Sequence, residues 1–287
     1  MKRTLLLTAV LFTAGLAADA QQTVRNESFV LHFSSAGIIS LKQSRDASGT
    51  EFIRDGRTLG HIRLRYRMAD QKWQTFATED LSGERSINEG AAAAAPQLLV
   101  VYNGSGWYDY YADLELTERF RLEGDALNWT LHLRNVTDKP LEIADFELPL
   151  PFPVLEDKAA ASSPGLIMES AVGGPPSSIR WKRADGRGAG LVMTPMETCP
   201  PYEPAQHERN FSPARLEWVE RKDGIETVYL HSASRGASAQ EKAGGRQGPH
   251  TSLVLTPKFT PGDEVTYVLK FVWADSPGPA AGQKKLP

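Results

Sequence analysis

The chain has 287 residues, with 32 Lys and Arg against 35 Asp and Glu, a formal net charge of −3 and a single cysteine. Charge so nearly balanced argues against nucleic acid as a partner, because phosphate backbones are held by clustered cations. The lone Cys199 cannot close an intramolecular disulfide, so the fold must stand on burial alone, which a chain of this length can supply.

The first segment reads as a leader. Lys2 and Arg3 precede the apolar run "TLLLTAVLFTAGLA", and Ala18-Asp19-Ala20 has the small-x-small pattern of a cleavage site. Residues 1–20 are therefore expected to be a signal peptide. The protein is expected to be exported, periplasmic or extracellular, with no membrane attachment after cleavage. The run is too short for a mature span, and no cysteine at the cleavage point invites a lipid anchor.

From there the hydrophobic period is two. Phe29, Leu31 and Phe33 alternate with Val30 and His32. In "HIRLRYRM", Ile62, Leu64, Tyr66 and Met68 oppose His61, Arg63, Arg65 and Arg67. Leu114, Leu116, Phe120 and Leu122 run into a turn at Gly124-Asp125, and Leu127, Trp129, Leu131 and Leu133 return, which predicts a long hairpin. Val265, Tyr267, Leu269, Phe271 and Trp273 form a last strand. Turn chemistry at "ADGRGAG" (184–190), "KDG" (222–224) and "TPGDE" (260–264) punctuates the pattern. Roughly a dozen strands with short connections predict an all-β fold, a large antiparallel β-sandwich occupying residues 21–275. Segments 84–96, 156–178 and 194–215 are expected to be loops, and 276–287 a disordered tail.

"FELPLPF" (Phe146–Phe152) alternates apolar residues with Pro149 and Pro151. Two prolines two apart remove donors on one flank of a strand, which predicts a sheet edge. The slip of apolar phase near Ala144-Asp145 predicts a bulge or a crossing between sheets just upstream.

These residues also carry a resemblance. "LEGDALNWTLHLRNVTDKPLEIADFELPLPF" (Leu122–Phe152) resembles the central signature of β-supersandwich domains related to galactose mutarotase. It is similar, more narrowly, to the N-terminal module of a family of large secreted proteins of unassigned function. "IRWKRADGRGAGLVMTPMET" (Ile179–Thr198), "VYLHS" (Val228–Ser232) and "VTYVLKFVWAD" (Val265–Asp275) extend the likeness over most of the chain. In that family the sandwich precedes an (α/α) helical barrel like those of glycoside hydrolases and polysaccharide lyases. With twelve residues after Asp275 no such barrel is expected here, and "VGGPPSS" stands where a Gly-His-Gly-Ser-like turn is expected. The resemblance implies a carbohydrate-associated module that acts without catalysis of its own.

Candidate site residues follow from chemistry. Trp107, Tyr108, Asp109, Tyr110 and Tyr111 in "GSGWYDYYAD" combine ring faces for stacking on sugars with a carboxylate for hydroxyl groups, and Tyr202 is a further such ring. The alternative is a strand entry whose rings divide between core and rim. Glu203 and His207, in the Pro-rich loop 194–215, have the residue types of a mutarotase acid–base pair, although the same residues in a Pro-rich surface loop are more often simply solvated. Glu118 interrupts an apolar face between Leu116 and Phe120, where strand-end exposure is the simpler expectation. The Arg63-Arg65-Arg67 row suits an anionic polysaccharide or a plain solvated face. Histidines at 32, 61, 132, 231 and 250 lack metal-ligand spacing, and no P-loop or dinucleotide fingerprint occurs, so neither metal nor cofactor is expected. The Asn-x-Ser/Thr triplets headed by Asn26, Asn103, Asn128, Asn135 and Asn210 read as incidental. The expected partner is a poly- or oligosaccharide. Two alternatives stay open: a mutarotase- or epimerase-like sugar enzyme, and an interaction protein docking on a separate helical-barrel enzyme.

Overall fold

The predicted hairpin forms in the middle of the chain. Strand Leu114–Glu123 pairs with Ala126–Asn135 over their full length, closed by a two-residue loop in which Gly124 has φ 58°. That left-handed backbone suits glycine, which lacks the Cβ that would clash. Cross-strand partners Phe120 and Trp129 stack at 5.3 Å on the buried face, the kind of aromatic pair that strengthens a sheet beyond its area.

A computed structural model describes residues 22–34, 37–80, 85–89, 97–102, 113–155, 165–173, 176–196, 215–222, 224–236, 250–260 and 262–274. They form three antiparallel sheets. A small one contains β1 (Gln22–Arg25), β2 (Phe29–Ser34) and β3 (Gly37–Gln43). A six-stranded sheet runs β14 (Trp218–Lys222), β15 (Ile225–Ser232), β10 (Leu141–Leu150), β4 (Arg63–Met68) and β5 (Gln74–Ala77), with β16 (Leu253–Leu255) also beside β10. An eight-stranded sheet runs β11 (Leu166–Ala171), β12 (Ser178–Arg183), β13 (Gly190–Met196), β17 (Glu264–Ala274), β9 (Ala126–Asn135), β8 (Leu114–Glu123), β7 (Gln97–Tyr102) and β6 (Arg85–Glu89). The two larger sheets meet through Phe146 and Tyr267, edge-to-face at 5.4 Å, and the small sheet joins them through Phe29 and Trp273 at 5.3 Å. One apolar core runs through all three sheets, with Trp129, Trp181, Phe120, Phe146 and Phe271 fully buried. The expected all-β sandwich is what forms.

Three expectations are corrected. β10 is not an edge: Phe146 pairs with Leu64 on one flank and His231 on the other, and Glu147 with Arg63 and Tyr229. The prolines are tolerated because β4 starts at Arg63. Pro149 and Leu150 pair with β15 alone, so the donor missing at Pro149 breaks no bond to β4. The reading of the prolines was right locally and wrong for the strand. The bulge upstream is present, as a register shift between Ile143 and Asp145 against β4. Second, strands lie inside the expected loops: β6 falls within 84–96, β11 within 156–178, and β13 extends to Met196. Third, Glu118 is no exposed strand end but a buried residue in mid-strand.

The leader over 1–20 and the tail over 276–287 lie outside the described residues. Among the described residues no helix is long and apolar enough to cross a membrane.

Candidate functional site: two polar clusters on one sheet

Most sequence-derived candidates fall on residues the structure does not describe. Trp107, Tyr108, Asp109, Tyr110, Tyr111, Tyr202, Glu203 and His207 all lie outside the described residues. Asp113, at the end of the aromatic stretch, is half-buried, and burial pushes its carboxyl above the usual range. Glu118 faces the core beside Phe120 and accepts a hydrogen bond from Trp129 Nε1 at 3.0 Å. That bond explains a carboxylate on an apolar face: it satisfies the indole donor that the stacked Trp129 would otherwise bury alone. Asn135 heads one of the Asn-x-Ser/Thr triplets, but it is buried and its amide bonds the carbonyls of Lys139, Leu255 and Thr256, which leaves no nitrogen for a glycan. Among the described residues no group of three His, Cys, Asp or Glu is placed to hold a metal.

Two polar clusters that sequence reasoning missed flank β15. The first is centred on Glu217, 1% exposed. Its Oε2 accepts from Ser232 N at 2.9 Å, Ser232 Oγ at 3.0 Å and Thr251 N at 2.9 Å; its Oε1 accepts from Thr251 Oγ1 and from Arg215 Nη2 at 3.4 Å. Because Thr251 gives its only hydroxyl proton to Glu217, its oxygen is the acceptor for His231 Nδ1 at 3.0 Å. His231 Nε2 is then the acceptor for the Tyr267 hydroxyl, 2.5 Å away on β17. Burial, and next the Arg215 guanidinium, hold the His231 imidazole down to about 4, so it is neutral at pH 7. Burial pushes the Tyr267 hydroxyl well above its ordinary range. The Glu217 carboxylate, the His231 imidazole and the Ser232, Thr251 and Tyr267 hydroxyls are each committed to a neighbour, while Arg215 Nε makes no hydrogen bond. This cluster is a clasp that ties β14, β15 and the chain before β16 to the opposite sheet.

The second cluster lies on the face of the six-stranded sheet turned away from the core. Directly paired strand residues share a face, and the register puts Arg63, Glu147, Tyr229 and Trp218 in one row across β4, β10, β15 and β14. The next row carries Pro149, Thr227 and Glu220. The residues between them in sequence, Leu64, Phe146, Leu148 and Val228, point into the core. Tyr229 donates its hydroxyl to Glu220 Oε1 at 2.6 Å and accepts from Arg235 Nη2 at 3.0 Å, while Arg235 also pairs with Glu220 at 2.8 Å. Arg63 pairs with Glu79, and Asp145 caps Ser234 through its backbone and hydroxyl.

Glu147 is different. It is 9% exposed, and its Oε2 has no hydrogen-bond partner, the nearest cation being Lys222 Nζ at 3.6 Å. Burial pushes its carboxyl up; Lys222 opposes this, Asp145 adds to it, and Arg235 and Arg63 oppose it again. Thr227, on the same face and one row away, is 1% exposed and its Oγ1 also lacks a hydrogen bond. Nothing in the sequence marked these positions. Glu147 sits in the polar phase of an alternating strand, where solvent exposure is the default reading. Only the neighbouring strands make it a buried carboxyl.

Residues 43 to 280 match a family of unknown function designated DUF5695. The chain belongs to this family. No curated protein sequence matches this DUF5695 member. Solved structures similar to it include a polysaccharide lyase, 12% identical with a TM-score of 0.51, which matches over 90% of this chain and 33% of its own. The chain thus spans about a third of that lyase. A candidate aldose 1-epimerase from Escherichia coli K12 is 11% identical with a TM-score of 0.51, over 90% of this chain and 99% of its own. A protein from Synechocystis sp. PCC 6803 is 9% identical with a TM-score of 0.53, over 94% of this chain and all of its own. The fold is the one these solved structures share, the galactose mutarotase-like fold that the resemblance implied.

Proposed function

We propose that the protein is an exported module that binds poly- or oligosaccharide and is not itself a catalyst. The observation that carries this reading is the match to the polysaccharide lyase over 90% of this chain but 33% of the lyase, where the same sandwich is one part of a larger polysaccharide-acting protein. The chemistry of the described residues supports it. The buried acid–base groups Glu217 and His231 are occupied with Ser232, Thr251 and Tyr267 and lie in the protein interior. Affinity electrophoresis of the full chain in gels of galactomannan, xyloglucan, laminarin, alginate or polygalacturonate tests the reading directly. Retardation by at least one is expected, and none by any of them overturns it.

The match to 99% of the candidate aldose 1-epimerase favours a second reading, an enzyme interconverting sugar anomers. Polarimetry on free aldoses distinguishes the two. Mutarotation faster than buffer, abolished in His207→Ala, would replace the binding module with an enzyme. The 33% coverage of the lyase also suits docking on a separate helical-barrel enzyme, which pull-down with barrel proteins from the same cells would reveal.

A further inference from the structure

The outer face of the six-stranded sheet combines features that a purely structural face has no reason to combine. Buried polar atoms are nearly always hydrogen-bonded, since each one left unsatisfied costs about 1–3 kcal/mol. Here two of them, Glu147 Oε2 and Thr227 Oγ1, stand on adjacent rows of one face, either side of the β10–β15 ladder. Pro149, directly opposite Thr227, brings no backbone donor to either. The groups around them are held in place by bonds of their own: Tyr229 between Glu220 and Arg235, Arg63 on Glu79, Asp145 on Ser234. Lys222 reaches from β14 across β15 to Glu147. The rim is open, with the Lys222 side chain 41% exposed, and Trp218 stands half-buried at the end of the Arg63–Glu147–Tyr229 row.

We propose that this face, between Arg63 and Lys222, binds a neutral saccharide unit, with Glu147 and Thr227 as the buried groups that hydrogen-bond its hydroxyls and Trp218 as the ring beside it. The inference rests on the carbohydrate-binding reading and gives it a location. Sugar hydroxyls donate and accept, which is what a carboxyl beside an ammonium and a threonine hydroxyl require. The charge count favours a neutral ligand. Glu220 is matched by Arg235, Glu79 by Arg63 and Glu147 by Lys222, and Asp145, held by Ser234, adds a further negative charge, so no cation is left over for an anionic ligand.

The test uses the full chain and the same polysaccharide gels, with Glu147→Met and Thr227→Val. Both variants keep shape and delete the polar atoms that make no hydrogen bond, so both are expected to fold with thermal midpoints at or above that of the parent. Each is expected to weaken binding to a neutral polysaccharide about tenfold or more, and Glu147→Gln, which keeps hydrogen-bonding capacity, to retain more affinity than Glu147→Met. If the parent chain is retarded and both variants match it, the site lies elsewhere and this proposal falls while the binding reading stands. Retardation only by alginate or polygalacturonate also overturns it, since the ligand is then anionic. If the parent is retarded by nothing, the binding reading itself fails, and the site with it.

Discussion

Two clusters on the same strand show how differently one fold treats buried polar groups. Around Glu217, on the side of β15 that reaches β17, five donors converge on one carboxylate and a neutral imidazole closes the chain of bonds to Tyr267. Around Glu147, on the outward face, Tyr229, Glu220 and Arg235 are tied to one another but a carboxyl oxygen and a threonine hydroxyl make no hydrogen bond. A network in which carboxylate, imidazole and hydroxyls are all engaged rigidifies what it joins in a low-dielectric interior. An unsaturated one lowers stability and persists only where something other than folding favours it. The contrast separates a structural clasp from a candidate binding face, and four measurements sharpen or break it.

The largest effect is expected from the clasp. Glu217→Ala strands the Ser232 and Thr251 donors and leaves Arg215 without its carboxylate, so urea denaturation should show a loss of about 3–5 kcal/mol, with the melting temperature falling by roughly 10 °C. A loss under about 1 kcal/mol would mean the network is not the clasp described.

Next comes acid sensitivity. The unfolded His231 titrates near its ordinary 6.5 and the folded one near about 4, so between these values the unfolded chain binds the extra proton. The contribution of His231 is therefore complete above pH 6.5 and is lost as pH falls toward 4, by about 3 kcal/mol at most. His231→Gln should flatten that part of the stability profile, measured by denaturation at successive pH values. Glu147 works in the opposite sense. Its folded carboxyl titrates above the unfolded one, so it removes stability as pH rises from the ordinary carboxylate range through its raised value.

Smaller and opposite in sign, Thr227→Val and Glu147→Met should stabilise the protein at pH 8 by up to about 1 kcal/mol, because each deletes a buried polar atom that makes no hydrogen bond and Glu147→Met gives up only a 3.6 Å contact to the half-exposed Lys222. A substantial loss instead would show that these atoms are part of the folding framework after all, and would erase the contrast. The smallest effect is expected at Arg67–Glu142, a half-exposed pair at 2.7 Å on the same outer face. Glu142→Ala should cost less than about 1 kcal/mol and still less in 1 M NaCl.

Legibility in the sequence divides along the same line. The hairpin from Leu114 to Asn135 could be read to within a residue, because alternation, a Gly-Asp turn and a matching return strand all lie within one local stretch. Two prolines in "FELPLPF" said correctly that one flank lacked a partner there, but not that β4 covers that flank up to Glu147, since the end of β4 is set about eighty residues away. β6 and β11 lie at the two edges of their sheet, and β11 runs from a buried Leu166 to an exposed end without the alternation that marks an inner strand in sequence. Glu118 could be flagged by its phase, yet its partner Trp129 becomes its neighbour only across the hairpin.

Alternation of side chains determined by itself that this protein is an antiparallel β-sandwich with an apolar interior, since a period of two leaves a chain no other way to bury one face. Which strands became neighbours, and therefore which of its many glutamates and threonines were enclosed, matched or left without a partner, was decided only by the tertiary structure. The reason is physical: a carboxyl's environment comes from atoms on adjacent strands, and Glu147, Lys222 and Thr227 meet through pairings between segments far apart in the chain.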